Sequence, residues 1–597
     1  MILKALYDYY HRMGELAPMG FEKKEITFLI VLDVNGNFIR VDDTRNEKKV
    51  PKKFTVPRDI NRTGKVPKSQ LLWDNGEYVL GIPKDEKSDG DQEKKERDAK
   101  LKNSAFIEKC REIAEVLPDS KALKAVLSFY ENGGVEKVMQ DEKWESVLKD
   151  RKRNISFILQ GDSKPIPELE EIKSYVESKN GREAADGLPI CLITGSRGNS
   201  VVCTSSTMIA GSQSTAKLVS FQKGYGYDSY YKEQCGNAPM STEAEAAYTT
   251  ALKTLLDKNS RNKFLLGNRT FVFWASNTKE SSREVESSFF DFIGSQKQDN
   301  PNAGLERIRN VLSAVWSGES PSASGDRFYV LGLAPNAARI AVVYWNECSV
   351  RDFAGSLLKH FEDMEIIRDK KDTRPYFGLY NILSAVALGG KSSEVQQNLP
   401  EALLKSVLQA TAYPFPLYTA CLRRINAELS EKACFSATRM GIGGSIYKPI
   451  RLSEKACFSA TRMAIIKAFL NRQNTNHKKI EVMLDKENKN IGYLCGRLFA
   501  VLVKIQEDAS GINTIAERYM SAASSSPATV FSTILNLSIH HSENLKSEGA
   551  KIFYEKLKQE IIGNLPPEGF PAHLDLQDQG RFFVGYYQQR QDFFASK

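Results

Sequence analysis

The side chains best suited to chemistry in this sequence are the cations of one short segment. Residues 48–68 hold eight basic side chains and one acid, Asp59. Such a cluster attracts phosphate groups in a salt-dependent manner, because its cations replace the counterions of a nucleic acid. We therefore expect the segment to contact a nucleic-acid backbone. Its cations are Lys48, Lys49, Lys52, Lys53, Arg58, Arg62, Lys65 and Lys68.

The end of this segment adds hydrogen-bonding and aromatic side chains. Lys65 and Lys68 are followed by Gln70, Trp73 and Asn75. Lys, Gln and Asn side chains read base edges, and a loop that enters a groove bends or opens a duplex. We expect these four polar side chains to contact bases or to act as a wedge, while the upstream cations contact phosphates. The alternative is a solvated basic loop with Trp73 packed beneath it in the core.

A second polar stretch, residues 195–236, is rich in Gly, Ser and Tyr. Its glycines permit close approach of a ligand to the backbone, and its tyrosines can stack on bases. Ordinary packing of the tyrosines is the alternative. The candidate DNA contacts here are Gln213, Ser214, Lys223 and Tyr225, and the further stacking candidates are Tyr227, Tyr230 and Tyr231.

Sequence motifs of enzymes are missing from the chain. Its six His form no H-E-x-x-H motif and no zinc-ligand spacing. The string GGKS at 389–392 lacks the first Gly of a phosphate-binding P-loop, because Ala385 stands there. We therefore expect no catalytic residue, no cofactor and no metal ion. A nuclease or ATPase site assembled from residues distant in sequence stays open.

The composition is that of a folded globular protein. Of the 597 residues, 41% are hydrophobic and 26% charged, which excludes wholesale disorder. The net charge is +9, and residues 1–482 carry +10 because residues 483–597 hold twelve basic and thirteen acidic side chains. Nine Cys without a C-x-x-C pair indicate a reducing compartment. With no secretory start and no long apolar run, we expect a cytoplasmic protein that does not contact a membrane.

The elements that must position these side chains change character along the chain. Asn35-Gly36 between two apolar runs predicts a hairpin over 26–43, since this dipeptide tolerates the positive φ values of a type I′ turn. After about residue 350 the strand signals nearly vanish. The expected fold class is α+β, a mixed α/β N-terminal part followed by an all-helical C-terminal part. Further strands are predicted at 154–159, 190–194, 217–221, 270–275 and 327–345, and helices at 2–12, 104–116, 242–256 and 303–315.

The sequence contains one internal repeat of twelve residues. Residues 429–440 and 452–463 are the identical twelve residues LSEKACFSATRM. A solenoid needs several stacked copies, whereas only two occur here. A recent tandem duplication, or an artefact of sequence assembly, is the favoured interpretation, and a function for the duplicate stays open.

Several strings occur along nearly the whole chain in the order seen in one family. On these strings the chain resembles the large subunit of the type I-C CRISPR interference complex, a Cascade-type surveillance complex. The duplication departs from the family, because only the second copy continues into Ala464–Arg472 as the family does. The strings are MILKALYDYY at 1–10, QLLWDNGEYVLGI at 70–82, LVSF at 218–221, NAPMSTEAEAAYTTAL at 237–252, FYVLGLAPNAARIAVVYW at 328–345, NLP at 398–400 and AYP at 412–414.

The resemblance implies a non-catalytic bacterial protein beside the 5′ end of a guide RNA. In such systems guide pairing reads the long target, while the protein recognises a short protospacer-adjacent motif (PAM) in duplex DNA, promotes R-loop formation and holds the displaced single strand. The implied partners are the guide RNA complex with its backbone and guide-processing subunits, small subunits, and a helicase-nuclease that the protein helps to recruit. A purely architectural scaffold is the alternative.

The resemblance also suggests three domains. Residues 1–360 would form the mixed domain for motif recognition and complex docking, 361–482 a helical connecting domain, and 483–597 a helical bundle that resembles the small subunit. Met483 is the predicted internal start of a separately made small subunit. The cations Lys551, Lys556 and Lys558 would line a track for the displaced strand, although pairing with Glu555 and Glu560 is the alternative.

Overall fold

The computed structural model describes residues 2–13, 16–18, 20–58, 66–83, 92–179, 188–224, 226, 228, 230–266, 268–277, 280–293, 309–310, 312–317, 326–369, 372, 376–391, 394–396, 398–438, 458–473 and 478–595. Side chains are described for these residues except 92, 280–281, 430–438 and 595. The chain forms two compact units. The first is Met1–Asp257 with Asn336–Ile340, and the second is Lys258–Pro335 with Ala341–Lys597.

The first unit mixes helices and strands. Its elements are α1 Ile2–Arg12, β1 Phe21–Glu25, β2 Phe28–Leu32, β3 Phe38–Asp43, β4 Lys53–Pro57, β5 Trp73–Asn75, α2 Gly76–Val79, α3 Gln92–Val116, α4 Lys121–Glu131, α5 Gly134–Val138, α6 Trp144–Lys149, β6 Asn154–Leu159, α7 Glu170–Lys179 and α8 Thr242–Leu255. A four-stranded sheet has the order β3-β2-β6-β5, and β1 pairs with β4 in a separate two-stranded ribbon. In the sheet β2 runs parallel to β6 and antiparallel to β3.

The strand β2 divides its side chains between two cores. All five of its residues are buried, as expected for an inner strand that is covered on both faces. Phe28, Ile30 and Leu32 belong to the larger cluster, which includes residues of α3 and α4. Leu29 points to the other face, where it joins a small cluster with Trp73 and residues of β4. Through this second cluster, the β1–β4 ribbon packs against one face of the sheet.

The predicted hairpin is confirmed as β2 and β3, but its turn is not type I′. Gly36 has a φ of +84°, whereas Asn35 has no positive φ. The Oδ1 atom of Asp33 accepts hydrogen bonds from the backbone N–H groups of Asn35 and Asn37, each at 2.8 Å. The dipeptide thus marks the place of the turn, and the Asp33 side chain selects its geometry.

The second unit holds one sheet and a large helical part. Its elements are β7 Lys263–Leu266, β8 Arg269–Ala275, α9 Glu280–Ile293, β9 Arg327–Asn336, β10 Arg339–Ser349, α10 Val350–Asp363, α11 Leu379–Val386, α12 Leu399–Leu408, α13 Phe415–Thr438, α14 Ala460–Arg472, α15 Ile491–Ser510, α16 Thr514–Ser525, α17 Pro527–Glu543, α18 Glu548–Gly563 and α19 Leu576–Ala595. The sheet order is β10-β9-β8-β7. Within the described residues every regular element after β10 is helical.

The helices of this unit share one core. A single hydrophobic cluster runs from Phe264 in β7 to Tyr587 in α19. The predicted boundaries at residues 360 and 482 therefore do not separate compact units. Residue 360 lies inside α10, and the Nε2 atom of Gln588 donates to the carbonyl oxygen of Glu481 at 2.8 Å. The physical reason is the continuous apolar face that α10–α14 share with α15–α19.

The predicted fold class, a mixed N-terminal part and an all-helical C-terminal part, is confirmed. Two predicted strands are wrong, because 190–194 and 217–221 contribute only isolated bridges. In the first, Cys191 and Ile193 are buried and Leu192 is 58% exposed, which mimics a strand pattern. The backbone N–H of Gly195 instead donates to the carbonyl of Cys191 at 2.8 Å and makes a turn. Most of the predicted helix 303–315 lies outside the described residues.

The described helices include none that is long and apolar enough to cross a bilayer.

The described parts of the two identical strings, residues 429–438 and 458–463, differ in local structure. In the first copy residues 429–438 continue the helix α13. In the second copy Ser459 caps the start of α14, and its side chain accepts a hydrogen bond from the backbone N–H of Arg462. The Arg462 guanidinium donates to both carboxylate oxygens of Glu428, at 2.6 and 2.8 Å. Tertiary contacts therefore decide where the helix begins, because the local sequence is the same.

The turn residue Gly36 generates the first prediction. A Cβ at this position would lie 2.5 Å from the carbonyl oxygen of Ala125, and its φ is positive. We expect Gly36→Ala to lower the free energy of unfolding by about 2–4 kcal/mol, from backbone strain and overpacking together. The matched control is Gly161→Ala, because Gly161 has a φ of +91° and no described atom within 4 Å of such a Cβ. Urea unfolding followed by tryptophan fluorescence checks this, and equal losses in the two variants would contradict it.

Candidate nucleic-acid interface

The basic segment begins in a tight turn between β3 and β4. Lys48 and Lys49 are exposed, and Lys49 has a φ of +59°. The Oδ1 atom of Asn46 accepts hydrogen bonds from the backbone N–H groups of Lys48 and Val50, each at 3.0 Å. Neither lysine has an ion-pair partner among the described residues. The turn therefore presents two uncompensated ammonium groups to solvent.

The next two cations differ in their surroundings. Lys52 is exposed, and its ammonium lies 5.1 Å from the ring centroid of Phe54. The Lys53 ammonium forms an ion pair with Asp257. The charge of Lys53 is therefore partly compensated within the fold, whereas that of Lys52 is held over an aromatic face at the surface.

The ribbon adds a cation that the sequence patterns did not single out. Lys23 in β1 lies opposite Thr55, and Glu25 lies opposite Lys53. Lys23 and Lys53 therefore share one face of the ribbon. Lys23 is exposed. In the sequence, Lys23 is one of two cations in the mixed-charge string FEKKE. That pattern does not distinguish a DNA contact from an ordinary exposed strand residue.

Arg58 is held inside the fold. Its guanidinium pairs with Glu245 at 2.9 Å and donates to the Oγ1 atom of Thr249 at 2.6 Å. Glu245 is 3% exposed and also accepts the backbone N–H of Ser205 at 2.7 Å. This geometry argues against the predicted phosphate contact of Arg58, because its donors neutralise a buried carboxylate. Arg58 positions the ribbon instead.

The stretch after the basic segment separates into buried and exposed side chains. Trp73 is 2% exposed, and its Nε1–H donates to the carbonyl oxygen of Pro57 at 2.9 Å, so Trp73 packs in the core. Gln70 is 3% exposed, so the predicted base contact of Gln70 conflicts with its burial. Lys68 is exposed. Arg62 and Lys65 lie outside the described residues.

Asn75 stands at the end of β5 and caps the short helix α2. Its Oδ1 atom accepts the backbone N–H of Glu77 at 3.0 Å, which is the usual role of Asn at a helix start. The side chain is half-buried. A base contact by Asn75 would therefore use the Nδ2 donor, while Oδ1 remains in the cap.

The tyrosine-rich loop of the 195–236 stretch is held by its own contacts. The Lys223 ammonium pairs with Glu233 at 2.7 Å, and this hydrogen bond raises the pKa of Lys223 above its usual value. Tyr230 is 91% exposed and Tyr231 is fully exposed, and both have positive φ values. Two adjacent left-handed tyrosines are uncommon. Tyr225, the predicted contact, lies outside the described residues.

Gln213 and Ser214 lie beside the tip of the β9–β10 hairpin. This tip, Asn336–Ile340, belongs to the first unit, whereas the rest of the hairpin belongs to the second. Both side chains are exposed, and the backbone N–H of Gln213 donates to the carbonyl of Ala337 at 3.4 Å. The tip adds the exposed side chains of Asn336 and Arg339. Sequence reasoning missed these two residues, although they lie in the string APNAAR, which carried part of the resemblance.

The C-terminal lysines are mostly paired. Lys551 pairs with Glu548 at 3.2 Å, and Lys558 pairs with Glu555 at 2.5 Å. Each partner lies three residues before its lysine, whereas the alternative was pairing at a spacing of four residues with Glu555 and Glu560. Glu560 instead pairs with Arg497 at 2.9 Å. Of the three lysines, Lys556 remains as the exposed cation.

The described acidic, His and Cys side chains were also compared with the requirements of a metal site. Among the described residues, no group of three or more His, Cys, Asp or Glu side chains could hold a metal ion.

The burial of Arg58 generates the second prediction. We expect Arg58→Met to lower the free energy of unfolding by about 3–5 kcal/mol, because it leaves the Glu245 carboxylate buried and unpaired. The matched control is Lys48→Met, which removes an exposed cation and should change that free energy by less than about 0.5 kcal/mol. Urea unfolding of the purified chain checks both values. A small loss for Arg58→Met would show that its ion pair is not structural.

Two comparisons with known proteins bear on the identity of the chain. No curated protein sequence matches it. The family described as CRISPR-associated protein (Cas_Csd1) matches residues 6–594. The match spans both compact units, including the ribbon, the loops and the helical part. The chain therefore belongs to the Csd1 family of CRISPR-associated proteins.

Proposed function

We propose that this chain is the non-catalytic large subunit of a type I-C CRISPR interference (Cascade) complex and recognises a PAM in duplex DNA. One observation carries the proposal. The exposed lysines Lys48, Lys49 and Lys52 lead into the β1–β4 ribbon, and their charges have no carboxylate partner among the described residues. Membership of a CRISPR-associated family supports the nucleic-acid context.

The lysines of the turn and ribbon would provide the sequence-independent part of binding. Lys48, Lys49 and Lys52, with Lys23 on the ribbon, would contact phosphates of the duplex. Each such contact releases a counterion and strengthens attraction at low salt. Lys53 contributes less, because Asp257 compensates its charge.

The segment that ends at Asn75 would provide the sequence-dependent part. Lys68 is exposed, and Asn75 has an amide donor besides the oxygen used in its cap. Amide and ammonium donors read acceptors on base edges. Lys65, outside the described residues, stays a candidate wedge residue. Gln70 would support this segment from below, since it is buried.

The loops of the 195–236 stretch would hold DNA that has been opened. Tyr230 and Tyr231 present almost their whole side chains to solvent, and such rings stack on unpaired bases. Gln213 and Ser214 supply hydrogen-bonding groups beside the hairpin tip. These features favour a role in keeping the displaced strand apart from the target strand.

The proposed partners of the chain are other components of the interference complex in the bacterial cytoplasm. The chain would join the guide RNA complex with its backbone and guide-processing subunits, associate with small subunits, and help to recruit the helicase-nuclease. Residues 483–597 would act as a small-subunit-like bundle, with Met483 as an internal start. Turnover of DNA or ATP by the purified chain alone would favour an enzyme instead. Unchanged binding after neutralisation of the turn lysines would favour a scaffold.

The third prediction concerns the base reader. The assembled guide complex is bound to duplex targets with a randomised flanking triplet, at fixed salt, using wild type, Asn75→Ala and Asn75→Asp. Both substitutions remove the Nδ2 donor, but Asp keeps an oxygen for the Glu77 N–H and so preserves the helix cap. We expect both variants to lose triplet selection by about tenfold or more, the value of one specific base contact.

The controls separate base reading from general binding. Pre-opened DNA should be bound equally by all variants, because guide pairing survives. Lys124→Ala removes an exposed cation of α4 and should leave triplet selection intact. If Asn75→Asp selects the same triplets as wild type, Asn75 is not the reader, and Gln213 and Ser214 become the next candidates.

A further inference from the structure

A polar cavity in the second unit is lined mainly by cations. It has a volume of about 440 Å³, within the range of roughly 300–1,000 Å³ that is usual for small-molecule sites. Its lining includes five basic side chains and one acidic side chain. The five are Lys359, Arg472, Lys478, Lys479 and Arg581, and the acid is Asp363. We name this cavity the Arg472 pocket.

Part of this charge is compensated by acids outside the lining. Lys478 pairs with Asp485 at 2.8 Å, and Arg581 pairs with Asp578 at 2.9 Å. The pocket is therefore left with three cations, two of which are lysines.

The remaining cations face a single carboxylate. Lys359 and Lys479 have no ion-pair partner among the described residues. The Nε atom of Arg472 donates to Asp363 at 2.5 Å. Three cations therefore share one acid, which leaves a surplus of about two positive charges.

The guanidinium of Arg472 is buried and incompletely bonded. Its side chain is 5% exposed. Its Nη1 atom donates to the carbonyl oxygens of Ser406 and Thr411, at 3.0 and 2.6 Å. Its Nη2 atom is buried and has no hydrogen-bond partner among the described residues. A buried donor without a partner is destabilising.

Near the pocket, the Glu481 carboxylate interacts electrostatically with Lys467 and Lys478, and the positive charge of Lys467 offsets the negative charge of Glu481. Burial and the nearby Arg472 lower the pKa of His360 to about 3, so its ring is neutral. Lys467 is buried, and its ammonium donates to the backbone carbonyl of Asp363 at 2.9 Å. Tyr413 stacks on Arg472, with the guanidinium 4.2 Å from the ring centroid. His360, Lys467 and Tyr413 add no negative charge.

We propose that the Arg472 pocket binds a phosphate monoester. A phosphate dianion matches the surplus of two positive charges, and its oxygens accept several charge-assisted hydrogen bonds from Lys and Arg. The phosphate has two possible sources with the same chemistry, a free mononucleotide and the 5′-phosphate at the end of a nucleic-acid strand. The inference is independent of the duplex interface in the first unit.

The fourth prediction tests the pocket with AMP as the probe. Isothermal titration of the purified full chain at constant ionic strength should show saturable binding of one AMP. The variant Lys359→Gln/Lys479→Gln should weaken this binding about tenfold or more, since two charge-assisted contacts are lost. Arg472 is left intact, because its contacts to Ser406 and Thr411 support the fold.

A matched control and a second ligand complete the test. Lys489→Gln removes an exposed cation outside the pocket lining and should change the affinity less than twofold. Single-stranded oligonucleotides with a 5′-phosphate or a 5′-hydroxyl then distinguish the sources. If the 5′-phosphorylated strand binds more tightly than AMP, the ligand of the pocket is the 5′-phosphate of a strand end. If the two strands bind equally and AMP still binds, the ligand is a free nucleotide. The proposal is overturned if AMP does not saturate, or if the double variant binds it as wild type does.

Discussion

The buried ion pair between Arg58 and Glu245 fixes the basic ribbon in the first unit. Arg58 directly follows β4, and Glu245 lies in α8, where it also accepts the backbone N–H of Ser205. Because either charge would be costly to bury alone, the pair ties the ribbon to α8 and to the loop after residue 200. The hydrogen bond from Trp73 to Pro57 holds the end of the same strand. The exposed lysines of the proposed interface depend on this framework for their position.

The fold sorts the cations of one segment into two classes. Arg58 and Lys53 have carboxylate partners within the unit, so their charge mainly stabilises the fold. Lys48 and Lys49 protrude from a turn closed by Asn46 and have no such partner among the described residues. Charge density in the sequence does not distinguish the classes, since partners such as Glu245 lie almost two hundred residues away.

Local patterns predicted much of the fold and less of the candidate site. The hairpin of β2 and β3 followed from its turn dipeptide between two apolar runs, whereas the burial of Trp73 was only the alternative interpretation of its segment. The burial of Gln70 was not predictable, because burial of a polar side chain depends on tertiary contacts. The strands expected at 190–194 and 217–221 failed because these segments lack a ladder partner and contribute only isolated bridges. The identical strings at 429–440 and 452–463 show most directly that local sequence does not decide where a helix begins. Ser459 caps the start of a helix, whereas its counterpart Ser436 lies within one.

The measurement that tests the account most directly is the salt dependence of duplex binding by the assembled complex. Wild type is compared with Lys48→Gln/Lys49→Gln/Lys52→Gln, and with the control Lys121→Gln/Lys124→Gln on the exposed face of α4. If the three lysines contact phosphates, the slope of log affinity against log salt should become shallower by about 0.9 for each lost contact, or by about 2–3 in total. The control should keep the wild-type slope. An unchanged slope in the triple variant would contradict the assignment of the duplex to the turn and ribbon of the first unit.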